Sequence, residues 1–243
     1  MDNATVIKSA SYSRLLVFEQ CKYRAKLQFH DKLPDVQGDA AARGERIHLL
    51  AEKYVMGKIK TLPPELRKFK EDFEALRASY KAGNVSVEGE WGFTSDWVPC
   101  DYKTATLRVK ADAVAFKSKT HAVVIDHKTG RKYGNELKHG EQILLYAIAT
   151  FIRDALLEEI TVELWFLDLD EMTQQHYTRN EALRYVQSFD QRIKKMLECK
   201  TFPANPNAFT CKWCPYGPAK GGQCEHGVVS GAQTIKLYRE KFG

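Results

Sequence analysis

Val123-Val124-Ile125-Asp126-His127-Lys128-Thr129-Gly130 is an apolar run that ends in an acid and, two residues later, a lysine. The run predicts a buried strand, and because side chains alternate along a strand, Asp126 and Lys128 should project from one face of a sheet. A carboxylate and an ammonium at a strand end suit metal-dependent phosphodiester hydrolysis, since the acid can hold a divalent cation while the lysine steers the attacking water. Taken alone, Asp-x-Lys-x-Gly is also ordinary turn chemistry, so the interpretation depends on ligands elsewhere in the chain.

A second acid lies inside the predicted strand that precedes this one. Asp112 is the only acidic residue in the strand predicted at 107–116, and a short polar loop joins that strand to 121–126. If the two strands pair antiparallel, Asp112 and Asp126 lie equally far from Lys119 and become cross-strand neighbours about 5 Å apart at Cβ. Two carboxylates that close repel each other, which favours a shared cation, although a one-residue slip would turn one acid to the other face.

Hydrophobic periodicity predicts an alternation of helices and strands along 243 residues, 44% of which are hydrophobic. Helices are expected at about 11–29, 40–57, 63–83, 140–157 and 181–199, and strands at about 85–91, 107–116, 121–126, 160–167 and 174–178. This order predicts a mixed α/β fold in a single domain that spans 1–243. Its parts are a helical N-terminal part (1–83), a catalytic core (84–200) and a cysteine-rich metal-binding segment (201–243) that packs back on Cys21.

Composition restricts the partners and the location of the chain. The net charge of +6 is compatible with a polyanionic partner such as DNA. No run of about 18 apolar residues is present, so we expect no membrane span. The N-terminus lacks a signal-peptide pattern, which predicts a cytoplasmic location.

Three further polar residues have the chemistry of ligands or orienting groups. His48 lies on the second predicted helix, where a lone histidine is often only a surface or core residue. Gln142 and Tyr146 are four residues apart on a strongly apolar predicted helix, and therefore on one face. An amide and a phenol one turn apart can orient a phosphate or a lysine.

The chain resembles the RecB-type nucleases of the PD-(D/E)XK superfamily in their complete series of motifs. In chain order these are Gly44-x-x-x-His48, Asp112, Asp126-x-Lys128 and Gln142-x-x-x-Tyr146. The resemblance covers the chain from Ser11 to its end. It implies a restriction-endonuclease-like fold, in which helices flank a central mixed sheet that carries the metal site at its open end.

The same resemblance implies a role for each matching residue. His48, Asp112 and Asp126 would be metal ligands, and the backbone carbonyl of His127 would complete the shell. Lys128 would be the catalytic lysine, with Gln142 and Tyr146 orienting it or the DNA. The cation would be Mn²⁺ or Mg²⁺, and an imidazole ligand favours Mn²⁺.

The C-terminal segment has the cysteine spacing of a metal site: Cys211-x2-Cys214 is followed by Cys224. Together with Cys21, these three resemble the iron–sulfur branch of the family, which includes the CRISPR-associated spacer-acquisition exonucleases and the AddB nuclease domain. The resemblance implies that the four cysteines hold a 4Fe–4S cluster. The gap before Cys224 is longer than the family usually has, and a tetrahedral zinc site that uses the three C-terminal cysteines with Cys21 or His226 is the alternative.

Together these patterns predict a metal-dependent DNA exonuclease that acts at single-stranded ends, in recombination, repair or phage DNA metabolism, with recombination or replication proteins as partners. A phage-encoded enzyme would work in the host cytoplasm. Basic residues and exposed aromatic residues such as Tyr23 and Trp213 would hold the strand. The alternatives are a structure-specific endonuclease, or a non-catalytic DNA-binding assembly subunit with a structural metal site.

Overall fold

The computed structural model describes residues 7–35, 38–130, 132 and 134–229, and it confirms the mixed α/β prediction. Contacts divide the chain into two compact units, one formed by 38–191 and the other by 1–37 with 192–243. The first unit contains a six-stranded sheet in the order β2-β1-β3-β4-β5-β6. Its strands are β1 (Val85–Phe93), β2 (Pro99–Cys100), β3 (Leu107–Phe116), β4 (His121–Lys128), β5 (Glu159–Phe166) and β6 (Glu171–Thr178).

The described residues contain eight α-helices, some of which have recognisable capping residues. They are α1 (Tyr12–Gln20), α2 (Lys22–Ala25), α3 (Asp39–Val55), α4 (Lys70–Lys81), α5 (Glu136–Arg153), α6 (Arg179–Leu183), α7 (Val186–Leu197) and α8 (Ala208–Cys211). The Ser11 side chain accepts a hydrogen bond from the Arg14 amide at the start of α1. Thr178 and Glu181 form a capping box at α6. Gly83, with a φ of 80°, follows α4, where a left-handed backbone favours glycine.

The pairing of β3 with β4 confirms the predicted antiparallel register. The paired residues run from Phe116↔Ala122 to Ala113↔Ile125, and the same register places Asp112 opposite Asp126 at the next position. Pairing ends at Ala113↔Ile125, so the two acids lie where the strands separate. On its other side β4 pairs with β5 in parallel, with α5 between them in the chain.

Both faces of β4 are covered, which explains why its residues from Ala122 to His127 are all buried. On one face, α3 and α4 contribute Ile47 and Phe73 to a cluster that includes Ile125. On the other face lies α5, from which Gln142 and Tyr146 reach the end of β4. Alternation along β4 therefore directs Asp126 and Lys128 towards α5, and the His127 ring towards α4.

Three predicted helices are interrupted, and the one expected at 63–83 begins as a 3₁₀ segment, Pro64–Phe69, before α4. The helix expected at 11–29 breaks at Cys21, whose backbone is extended (φ −159°, ψ 109°), and resumes as α2 and a π-helical segment, Lys26–His30. The helix expected at 181–199 is divided into α6 and α7. In the described part of the chain, no helix combines the length and the apolar character that crossing a bilayer requires.

In the second unit, side-chain hydrogen bonds join the cysteine-rich segment to the N-terminal helices. The Asn205 amide side chain donates to the Gln20 carbonyl (3.1 Å), and the buried Tyr216 hydroxyl donates to the Leu33 carbonyl (3.0 Å). These contacts order a segment that is too rich in proline and glycine to form long regular elements. Residues 230–243 of the predicted cysteine-rich segment lie outside the described residues.

Candidate metal and catalytic site

Four side chains at the end of β4 form a closed ring of contacts. Lys128 Nζ donates to Gln142 Oε1 (2.8 Å), Gln142 Nε2 donates to the Tyr146 hydroxyl (2.7 Å), and that hydroxyl donates to Asp126 Oδ1 (3.1 Å). Lys128 Nζ also lies 2.6 Å from Asp126 Oδ2, in the geometry of an ion pair rather than of a directed hydrogen bond. Because an ammonium has three donors, at least one remains for a water or a phosphate oxygen.

Burial determines the protonation of this ring. Desolvation raises the pKa of Asp126 despite the opposing charge of Lys128, since the carboxyl group is 4% exposed. Desolvation, together with the charges of Asp126 and Asp112, raises the pKa of Tyr146 well above its ordinary value. The phenol therefore stays protonated, which the donated hydrogen bond to Asp126 requires.

A second group of side chains adjoins the ring. His48, Asp112 and His127 each offer a ligand atom, and these atoms all lie within 4.8 Å of one another. His48 Nδ1 is hydrogen-bonded to Asp112 Oδ1 (2.9 Å), and the backbone amide of His127 donates to Asp112 Oδ2 (2.6 Å). The Asp112 carboxylate thus accepts a hydrogen bond from the His127 backbone amide at the point where β3 and β4 separate.

The His127 ring is buried, and among the described residues neither of its nitrogens has a hydrogen-bond partner. Nδ1 lies 3.6 Å from Asp112 Oδ2, and the rings of Phe73 and Trp165 pack against the imidazole. Burial lowers the pKa of His127 to about 4, so the ring is neutral at physiological pH. A neutral imidazole with an unpaired nitrogen can act as a metal ligand.

The other two members of this group are held as an ionic pair. Burial lowers the pKa of His48, but the hydrogen bond to Asp112 and its charge outweigh that effect, and the pKa is raised. Burial likewise opposes ionisation of Asp112, but the hydrogen bond from His48 and the nearby His127 hold its pKa below the ordinary value.

Contacts around the end of β4 fix α3, the helix that carries His48. The Arg43 guanidinium donates two hydrogen bonds to the Asp168 carboxylate, at 2.9 and 2.6 Å, and the Gly130 amide donates a third at 2.8 Å. One residue along α3, a Cβ added to Gly44 would lie 3.1 Å from Thr129 Oγ1. The glycine therefore permits a close approach between α3 and the residue after Lys128.

The structure brings together His48, Asp112, Asp126, His127, Lys128, Gln142 and Tyr146, which the sequence analysis singled out. The family resemblance implies only the backbone carbonyl of His127 as a metal ligand, whereas the ring of His127 itself faces His48 and Asp112. Asp168 and Arg43 were also missed. Nothing in their local sequence distinguishes them, because their contacts are 125 residues apart in the chain.

In the other unit, the four cysteines of the predicted cluster line one cavity. Cys21, Cys211, Cys214 and Cys224 share it with Arg24, Asn205 and His226. The Asn205 amide lies 3.5 Å from Cys21 Sγ, and burial raises the pKa of the Cys214 thiol. In the described residues, the group of three ligand atoms within 4.8 Å includes none of these cysteines.

Residues 9–219, most of the chain, match the family model described as the PD-(D/E)XK nuclease superfamily. No curated protein has a significantly similar sequence. Among solved structures, SSO0001 is similar with 16% identity and a TM-score of 0.50, over 91% of this chain and 88% of that one. An alkaline exonuclease (LHK-Exo) from Laribacter hongkongensis has 14% identity and a TM-score of 0.34, over 80% of this chain and 89% of that one.

Proposed function

We propose that this chain, which belongs to the PD-(D/E)XK nuclease superfamily, is a metal-dependent DNA exonuclease that hydrolyses phosphodiester bonds at single-stranded ends. Membership of the superfamily makes the chain a nuclease. The preference for single-stranded ends, and a role in recombination, repair or phage DNA metabolism, rest on the cysteine pattern, which resembles that of the iron–sulfur branch.

The observation that carries the proposal is the ring formed by Lys128, Gln142, Tyr146 and Asp126. It holds an ammonium 2.6 Å from the Asp126 carboxylate, and we infer that the scissile phosphate binds beside this pair. Gln142 accepts from Lys128 and donates to Tyr146, so the amide can have only one orientation in this ring. In the proposed reaction Lys128, held by Gln142 and Asp126, would donate to the attacking water or to a non-bridging oxygen of the phosphate.

The residues present fit a divalent cation. Asp112 would supply carboxylate oxygen and His48 and His127 would supply nitrogen, from atoms that lie within 4.8 Å of one another, and Asp126, opposite Asp112 in the register, would add a second carboxylate. Among the described residues both His127 nitrogens are buried without hydrogen bonds, whereas Asp126 Oδ2 is paired with Lys128 at 2.6 Å. A cation held by these residues would lower the pKa of a coordinated water and neutralise the charge that develops on the phosphate. A mixed nitrogen and oxygen donor set suits Mn²⁺ better than Mg²⁺.

The test compares two labelled substrates in the presence of Mn²⁺: a linear single-stranded oligonucleotide and a closed circular one. We expect the linear strand to be degraded from an end and the circle to stay intact. Cleavage of the circle would show an endonuclease. If neither substrate is cut, the chain is a non-catalytic DNA-binding subunit and the enzyme proposal fails, as it would if Lys128→Ala retained full activity.

We further propose that the cavity lined by Cys21, Cys211, Cys214 and Cys224 holds a 4Fe–4S cluster. A single tetrahedral Zn²⁺ would bring its sulfur ligands within about 4 Å of one another, because each Zn–S bond is about 2.3 Å. Among the described residues no three cysteine sulfurs are that close, and a cluster of four irons separates its thiolates further.

Anaerobic purification followed by iron, sulfide and zinc analysis tests the cluster. We expect about four irons per chain and a visible absorbance. Cys211→Ser should lose the iron, whereas Cys100→Ser, which changes a cysteine outside the cavity, should retain it. A colourless protein that contains zinc and no iron would establish the zinc alternative.

A further inference from the structure

An exposed aromatic pair lies on the cysteine-rich segment, and the site at the end of β4 does not account for it. Phe209, on α8, is 79% exposed and Trp213 is 60% exposed. The two residues are four apart, and backbone hydrogen bonds from Lys212 to Ala208 and from Trp213 to Thr210 continue the helical turn between them. This spacing brings both rings to one side of the turn.

Two lysines accompany the exposed indole. Lys212 Nζ lies 5.0 Å and Lys220 Nζ 5.7 Å from the centroid of the Trp213 ring. Within the described part of the chain, neither ammonium lies within 4.0 Å of a carboxylate. The indole is therefore flanked by positive charge that no acidic side chain of these residues neutralises.

We propose that Phe209, Lys212, Trp213 and Lys220 form a docking surface for single-stranded DNA. An unpaired base stacks on Trp213, and the two lysines contact the phosphates on either side of it. The identity of the ligand as DNA rests on the proposed nuclease function. The lysines leave the ring readily, since exposed cation–π contacts are weaker than the stacking of a base.

The composition of this surface favours single-stranded DNA over other occupants. Bases in a duplex are already stacked on each other and cannot offer a face to an exposed indole. Protein interfaces are enriched in tryptophan but depleted in lysine, so two unpaired lysines around the indole do not suit a protein partner. An aromatic platform with adjacent cations is the combination that holds an unpaired strand without sequence preference.

Binding is measured with the full chain carrying Lys128→Met, without divalent metal, so that hydrolysis does not interfere. Fluorescein-labelled (dT)12 is titrated and its anisotropy recorded. We expect Trp213→Ala to weaken binding about tenfold and Trp213→Phe, which retains an aromatic face, to weaken it less than threefold. Tyr185→Ala removes an aromatic residue that is 52% exposed elsewhere and should bind as the parent does.

Salt dependence tests the lysines. The logarithm of the association constant falls linearly with log[salt]. This negative slope should become shallower by about 0.7 in each of Lys212→Gln and Lys220→Gln, because each substitution removes one phosphate contact. The exposed Lys81, at the end of α4, is the control, and Lys81→Gln should leave the slope unchanged.

Tryptophan fluorescence gives a readout that does not depend on the alanine variant folding. Trp91 and Trp165 are buried but Trp97 is partly exposed, so the titration uses a Trp97→Phe background, in which quenching by saturating (dT)12 should come mainly from Trp213 and disappear when Trp213→Phe is added. Absence of quenching, an unchanged affinity of Trp213→Ala, or an equal loss of affinity for a 12-base-pair duplex would overturn the proposal. Failure of the parent enzyme to cleave DNA would overturn the proposed function and leave these binding results standing.

Discussion

Arg43 and Asp168 form a two-pronged ion pair that joins the start of α3 to the turn between β5 and β6. Both guanidinium nitrogens donate to the carboxylate, at 2.9 and 2.6 Å, and the same carboxylate accepts from the Gly130 amide at 2.8 Å. Arg43 lies five residues before His48, and Gly130 lies two residues after Lys128. Asp168 therefore holds together the elements that carry a predicted metal ligand and the predicted catalytic lysine, and we infer a positioning role for it.

Asp168→Asn should lower nuclease activity about tenfold, as is usual when a residue that positions metal-site ligands is changed. The loss of stability should be only about 1 kcal/mol, because the pair is partly exposed. Hydrogen bonds from Arg43 hold the pKa of Asp168 below its ordinary value, so this contribution is present above about pH 4 and is lost as pH falls through the folded pKa. Activity assays and urea unfolding at pH 7 and pH 3 measure the two effects.

Arg46→Gln is the matched control for this pair. Arg46 lies on the same helix and forms a single contact with Glu65 at 2.6 Å, away from Gly130. We expect an equally small loss of stability and unchanged activity. Equal activity losses in both variants would contradict a positioning role for Asp168.

Gly44→Ala tests the close approach of α3 to Thr129. Alanine is favoured over glycine in a helix by about 1 kcal/mol, but its Cβ would lie 3.1 Å from Thr129 Oγ1 and push the strand end away. We expect little change in the free energy of unfolding and a fall of about tenfold in activity. Thr129→Ala in the same chain removes the obstructing oxygen and should restore most of the activity.

Gly140, on α5, provides the control for helix propensity, because an added Cβ there meets nothing within 4 Å. Gly140→Ala should stabilise the protein by up to about 1 kcal/mol without changing activity. If Gly44→Ala behaves in the same way, the approach of α3 to Thr129 is unimportant for the reaction.

Lys128→Met should separate chemistry from metal binding. The lysine contacts Gln142 and Asp126 but is not a ligand, so removing its ammonium should lower the rate by about 10²–10³-fold while Mn²⁺ still binds. Calorimetric titration with Mn²⁺ and a DNA cleavage assay measure the two properties. Asp112→Asn should lose both, and a Lys128→Met chain that no longer binds Mn²⁺ would show that the ammonium is needed to form the site.

The local features of this fold could be predicted from the sequence, because strand alternation and the loop length fixed the register that places Asp112 opposite Asp126. Alternation also predicts that His127 points away from Asp126. It could not predict that Phe73 and Trp165 would pack against the ring beside Asp112, since those contacts depend on how α4 and β5 are placed. The break at Cys21 was missed for a similar reason, because helical periodicity continues through it.

The buried ring of His127 should make the metal-free protein sensitive to acid. Its folded pKa is about 4, below the ordinary 6.5, so on acidification the unfolded chain binds the proton first. The stability from the neutral ring is therefore complete above pH 6.5. It declines by about 1.4 kcal/mol per pH unit, or about 3 kcal/mol in all, as pH falls to 4. His127→Phe, whose ring suits the pocket formed with Phe73 and Trp165, should remove this component of the slope.

Urea unfolding of the wild type and His127→Phe between pH 7 and pH 4.5, with a chelator present, measures the difference directly. His176 is exposed on β6, and His176→Phe should keep the slope of the wild type. Addition of Mn²⁺ at pH 7 should stabilise the wild type more than His127→Phe if the ring nitrogen is a ligand, because binding to the folded state alone adds its free energy to stability. If Mn²⁺ stabilises the wild type and His127→Phe equally, the His127 ring is not a ligand and only its carbonyl can be one. If the wild type and His127→Phe have equal pH slopes, the ring is not buried in its neutral form.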